Sequence, residues 1–192
     1  MISAMILAAG ESRRMGQPKM LLKWGETTVI GKVIATFQAA GNQDLLIVTG
    51  GAKEHVEKIL GDSVRTTFNA DYARGEMLSS IQAGLAGLTS ETEAVLIGLG
   101  DQPQVEERTV RLVMAEYRRT DASIVVPSYQ MRRGHPWLVA RAWWGEILQM
   151  RAPDTPREFL NRHSRAIHYV NVDSPSILQD LDTPADYLKS RP

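Results

Sequence analysis

Leu7-Ala8-Ala9-Gly10-Glu11-Ser12-Arg13-Arg14-Met15-Gly16-Gln17-Pro18-Lys19 closes the apolar run that begins at Met5. It sets two glycines, a proline and three cations at the end of a predicted first strand. A glycine after an apolar run ordinarily marks a turn, and paired arginines ordinarily face solvent. Together at a strand end they make a different object. Glycine bares backbone N–H groups to an anion, and Arg13, Arg14 and Lys19 supply charge to neutralise it. The expected ligand is a polyphosphate, a nucleotide first of all.

Two familiar phosphate motifs are excluded by spacing. Five residues separate Gly10 from Gly16, and Lys19 has no hydroxyl residue after it, so this is not a Walker loop. Gly98-Leu99-Gly100 starts like a dinucleotide fingerprint but runs into Asp101-Gln102-Pro103.

Outward from the motif, short β-rich runs alternate with helical patterns. Strands are expected over 3–8, 44–49, 64–69, 94–100, 123–127 and 167–172. Leu45-Leu46-Ile47-Val48 and Val95-Leu96-Ile97 are continuous apolar runs, as suits strands buried on both faces. Helices are expected over 29–40, 53–60, 77–88, 106–119 and 141–150. Two more start at Thr155-Pro156-Arg157-Glu158 and Thr183-Pro184-Ala185-Asp186, where a capping Thr precedes a first-turn Pro and an acid three residues on. The rhythm predicts an α/β fold: three layers, a mostly parallel twisted sheet with helices on both faces. The 192 residues are expected to form one domain, 1–192.

Twenty-two basic and 22 acidic residues balance, so no global charge favours nucleic acid or an anionic membrane. No cysteine is present, which excludes disulfides, thiolate metal sites and a cysteine nucleophile. The first residues lack a basic leader and no apolar run is long enough to span a membrane, so the cytoplasm is the expected location.

In an open α/β sheet, ligands bind beyond the carboxyl ends of the strands. Residues 94–100 deliver Asp101 to the edge that carries the glycine loop, provided the two strands run parallel. A carboxylate opposite a cationic phosphate loop suits Mg²⁺, which takes one or two carboxylates and completes its shell with phosphate and water. The competing reading makes Asp101 the cap of the following helix.

The chain resembles the MobA-like nucleotidyltransferases. The resemblance rests on the opening motif, Gly100-Asp101-Gln102-Pro103, Arg133-Gly134-His135-Pro136 and Asp180-Leu181-Asp182-Thr183-Pro184-Ala185-Asp186-Tyr187, in that order. Ala8-Ala9-Gly10 with Arg-Gly-His-Pro points to the molybdenum cofactor cytidylyltransferase branch. The resemblance implies a Rossmann-like nucleotidyltransferase fold and transfer of CMP from CTP to the terminal phosphate of the molybdopterin cofactor, releasing pyrophosphate. It implies catalytic roles for Lys19, Arg14 and Asp101, and nucleotide contacts from Leu7, Ala8, Ala9, Gly10, Ser12, Arg13, Gly75, Ser79 and Ser80. Gln102, Pro103, Arg132, Arg133, Gly134 and His135 would face the cofactor substrate. Mg²⁺, with Mn²⁺ as the alternative, would sit on Asp101 and a tail carboxylate, Asp182 in preference to Asp180. A molybdenum hydroxylase would receive the product.

Three other readings stay open on sequence: transfer of GMP or to another phosphate acceptor, a nucleotide-dependent oxidoreductase, and a non-catalytic cofactor chaperone. Trp137, Trp143 and Trp144 read either as a wall of the cofactor side or, as aromatic residues at helical spacing more often are, as core.

Overall fold

The computed structural model describes residues 1–61, 64–74 and 77–192. Among these, β1 (Ile2–Ala8), β4 (Leu45–Thr49), β5 (Arg65–Phe68), β6 (Ala94–Leu99), β7 (Ile124–Tyr129) and β10 (Ile167–Asn171) occupy the six predicted strand regions. β1 runs parallel to both β4 and β6, β4 to β5, and β7 to β10.

The largest departure from the sequence expectation is an antiparallel strand inside the sheet. β9 (Trp137–Ala140) lies between β6 and β7 and runs antiparallel to both. Only four residues long and buried from Trp137 to Val139, it reads equally as a stretch of core, and periodicity cannot separate the two. The sheet order is then β10-β7-β9-β6-β1-β4-β5, with the two-residue β8 (Arg132–Arg133) beside β7. A small hairpin, β2 (Lys23–Trp24) with β3 (Thr27–Thr28), stands apart from the main sheet.

Alternation along β1 explains the layers. Ala4, Ile6 and Ala8 point to one face, where α1 (Val29–Ala39), α2 (Lys53–Leu60) and α4 (Glu107–Thr120) pack. Met5, Leu7 and Ala9 point to the other, covered by α3 (Met77–Ala86), α5 (Trp144–Gln149) and α6 (Pro156–Arg162). Gly84 lets α3 lie close on the sheet, since a Cβ there would collide with the Met5 side chain. Both late helices carry the expected capping boxes. Thr155 Oγ1 accepts from Glu158 N at 3.2 Å, and Thr183 Oγ1 from Asp186 N at 3.2 Å in α7 (Pro184–Ser190). No described helix is long and apolar enough to cross a membrane.

Candidate active site

All the parallel strands end at one edge of the sheet, and two clefts open there. The first, about 500 Å³, is lined by Leu7, Ala9, Gly10, Arg14, Lys19 and Asp101 among others. Register places them. Leu7 pairs with Leu99, and Gly100 N donates to Leu7 O at 2.9 Å, so Asp101 emerges beside the start of the glycine loop.

Across this cleft the Lys19 ammonium donates to Asp101 Oδ2 and lies 3.5 Å from Asp182 Oδ1. Arg14 Nη2 holds the other Asp182 oxygen at 3.0 Å. The Lys19 and Asp101 side chains are only 12% and 15% exposed. Such a pair is screened far less than a surface bridge, and removing one partner strands a charge away from water. Asp101 does not cap a helix: α4 starts later, after Glu106.

The glycine loop is tied at both ends. Ser12, at φ 55°, accepts the Lys19 backbone N–H on its hydroxyl at 3.1 Å, which sets where the lysine leaves the loop. A Cβ at Gly10 would meet no atom within 4 Å, so the loop backbone faces open space at the cleft wall. Arg13 pairs with Glu11 at 2.6 Å on the outer rim. Ala8 is buried beneath the loop.

The tail residues divide. Asp182 joins Lys19 and Arg14, whereas Asp180 accepts from Gln102 Nε2 at 2.7 Å. Burial pushes the Asp180 carboxyl above its ordinary range, Asp101 and Asp182 add to this, and the Gln102 bond opposes it. Gln102 and Pro103, expected to face a second substrate, line neither cleft. Both are buried, and Gln102 is instead the brace that holds the tail against β6 through Asp180. Among the described residues, no three His, Cys, Asp or Glu side chains form a ready metal cluster.

Ser80 lines the first cleft; Ser79 does not. Gly75 lies outside the described residues. The expectation for this segment missed Asn69, whose side-chain amide reaches Ser79 Oγ and Ser80 Oγ, each at 3.0 Å. It also missed Tyr72 and Arg74 in the cleft wall. A polar residue at a strand end was the only available signal for Asn69.

The second cleft is larger, about 1130 Å³, and holds Arg132, Arg133, Gly134 and His135 with Trp137, Arg157 and Tyr169. Arg133 is fixed by Tyr169 Oη at 2.8 Å and Asn161 Oδ1 at 2.7 Å. Gly134 is required by packing, because a Cβ would run into the Ile177 carbonyl oxygen. His135 N donates to that same carbonyl at 3.1 Å. Its ring nitrogen Nε2 is buried without a partner among the described residues, and burial lowers the imidazole to about 4. Met77 borders both clefts.

A glycine–cation loop facing a strand-end carboxylate, on a parallel sheet, is the layout of a nucleotidyltransferase. Residues 4–167 match the MobA-like NTP transferase domain, and the chain belongs to that family of enzymes. It is 29% identical over 193 residues to the molybdenum cofactor cytidylyltransferase of Escherichia coli, covering 99% of this chain and 95% of that one. Among solved structures, Rv0371c of Mycobacterium tuberculosis is similar with a TM-score of 0.87 and 29% identity, covering 98% of this chain and 95% of that chain. The same protein is also known in complex with manganese. A nucleotidyl transferase from Methanothermobacter is similar with a TM-score of 0.82 and 25% identity, over 100% and 96% of the two chains.

Proposed function

We propose that this chain, as one domain over residues 1–192, transfers CMP from CTP to the terminal phosphate of the molybdopterin cofactor and releases pyrophosphate. The observation that carries the reading is the meeting of Lys19 and Asp101 across the first cleft, above a glycine wall with open space before it. Its cytidylyl assignment draws on the Escherichia coli relative.

In this reading the triphosphate lies along Gly10 and Ser12, with Lys19 at the α-phosphate and Arg14 further out. Arg13 guards the rim. The base rests on Leu7 and Ala9 near Ser80, with Ala8 buried beneath them. Two carboxylates converging on one cation form the donor set magnesium accepts, so Asp101 and Asp182 would hold Mg²⁺ (or Mn²⁺). The ion would neutralise phosphate charge and favour departure of pyrophosphate.

The second cleft receives the cofactor, with Arg132, Arg133, Gly134 and His135 in its wall. An acceptor phosphate oxygen attacks the α-phosphorus as the bond to pyrophosphate breaks, so no side-chain nucleophile is needed. Lys19 moves from Asp101 to the α-phosphate as charge builds there, and Arg14 steadies the leaving group. Such chemistry depends on alignment and charge neutralisation. The product would pass to a molybdenum hydroxylase in the cytoplasm.

The test is pyrophosphate release by the purified protein with Mg²⁺, molybdenum cofactor and either CTP or GTP. CTP should be consumed and GTP hardly at all. Equal turnover removes the cytidylyl assignment, and no release with either removes this acceptor.

A further inference from the structure

Asn69 follows β5, is 3% exposed, and engages both ends of its side-chain amide. Its carbonyl Oδ1 accepts the backbone N–H of Asp71 at 2.9 Å. A backbone N–H only donates, so this bond fixes which end of the amide is oxygen. The NH₂ end must then face α3, where it donates to Ser79 Oγ and Ser80 Oγ at 3.0 Å each.

The consequence falls on Ser80, the serine that lines the first cleft. A hydroxyl has one hydrogen and two lone pairs. With a lone pair committed to Asn69, its hydrogen is left over, and the Ser80 hydroxyl donates to no other described residue. We propose that Asn69 is a positioning residue that sets base specificity by forcing Ser80 to present a hydrogen-bond donor to the base. The matching partner is an acceptor edge on the base, such as a pyrimidine carbonyl or unprotonated ring nitrogen. This rests on the first cleft being the nucleotide cleft.

Asn69→Asp is nearly isosteric and keeps the Asp71 bond, but it reverses the polarity toward Ser80. A carboxylate accepts the Ser80 hydrogen and turns its lone pairs to the cleft. The experiment measures binding of CTP, UTP and GTP with Mg²⁺ to wild type, Asn69→Asp, Ser80→Ala and the double variant by calorimetry, with thermal unfolding as a fold control. Losing or inverting one hydrogen bond should weaken CTP about tenfold in each single variant. The double variant should be no weaker than Ser80→Ala, because Asn69 acts through Ser80.

Additive losses would overturn the proposal, since a general charge or packing effect persists without the serine hydroxyl. Unchanged CTP affinity in Asn69→Asp would overturn it as well. If Asn69→Asp does not fold, wild type and Ser80→Ala are compared with 2-thio-CTP and 3-deaza-CTP, each weakened at one acceptor of that edge. One analogue should bind about tenfold worse than CTP to wild type only; equal discrimination by both proteins refutes the donor role. Should wild type prefer GTP while the coupling persists, the CTP reading fails and this inference stands.

Discussion

The two clefts at the sheet edge are built on opposite electrostatic plans. In the first, each cation sits on a carboxylate: Lys19 on Asp101 and Asp182, Arg14 on Asp182, Arg13 on Glu11. In the second, Arg132 and Arg157 have no ion-pair partner among the described residues, and Arg133 is held by neutral groups. The first cleft keeps its cations counterbalanced by acids of the protein itself. The second offers charge and a partly apolar wall directly. The cations of the first cleft are thus held by charges that neutralise one another, and those of the second are not.

Removing either half of the central ion pair should cost most. Lys19→Ala and Asp101→Ala should each lower CMP transfer about 10³-fold, as loss of a charge-stabilising group in a dry site does. Circular dichroism should show both folded; near-normal rates in both would leave only a binding role. The two tail acids come next. Asp182→Asn should cost about 10²-fold in transfer at fixed Mg²⁺ and be partly recovered by more metal. Asp180→Asn should stay within about threefold, because the amide oxygen still accepts from Gln102. Similar losses in both would abolish the distinction between the two acids.

A pH experiment addresses the second cleft. The His135 imidazole titrates at about 4 when folded against 6.5 in a free chain. Above pH 6.5 the ring is neutral in both states and costs nothing. As pH falls below that value the unfolded chain gains a proton that the folded one refuses, so stability drops. The loss is about 2 kcal/mol from about pH 7 to about pH 5. Denaturant melts of His135→Phe should be flatter over that range than those of wild type. Gly134→Ala should cost about 1–3 kcal/mol of stability, because the Ile177 carbonyl oxygen its Cβ would meet is backbone and cannot swing aside. It should raise the acceptor KM while leaving the CTP KM alone; a change in CTP affinity would mean that the clefts are not separable.

The same contrast explains what could be read in advance. The first cleft was legible because Leu7–Lys19 is contiguous and Asp101 ends a clear apolar run. Its partners lie on strands whose continuous hydrophobicity announces a parallel sheet. Asp182 was harder, since nothing local separates it from Asp180; the choice is made by Gln102, 78 residues away, which takes Asp180 for itself. The second cleft was half legible. Arg132–His135 stands out, but Tyr169, Asn161 and Arg157 come from elements whose own patterns speak only of strands and caps. β9 was missed because a four-residue buried strand carries no period of its own. Asn69 was missed because its importance lies in the direction of one amide, a property of tertiary structure.

The strap from Ser174 to Asp182 reaches further than either cleft. It accepts His135 N on Ile177 O, donates from Leu181 N to Asp101 O, and delivers Asp182 to Lys19. It follows every strand of the sheet in chain order. A cut before Ser174 would spare every described strand yet remove the acid that bridges Lys19 and Arg14, so the sheet and this bridge are encoded in separable stretches of the chain.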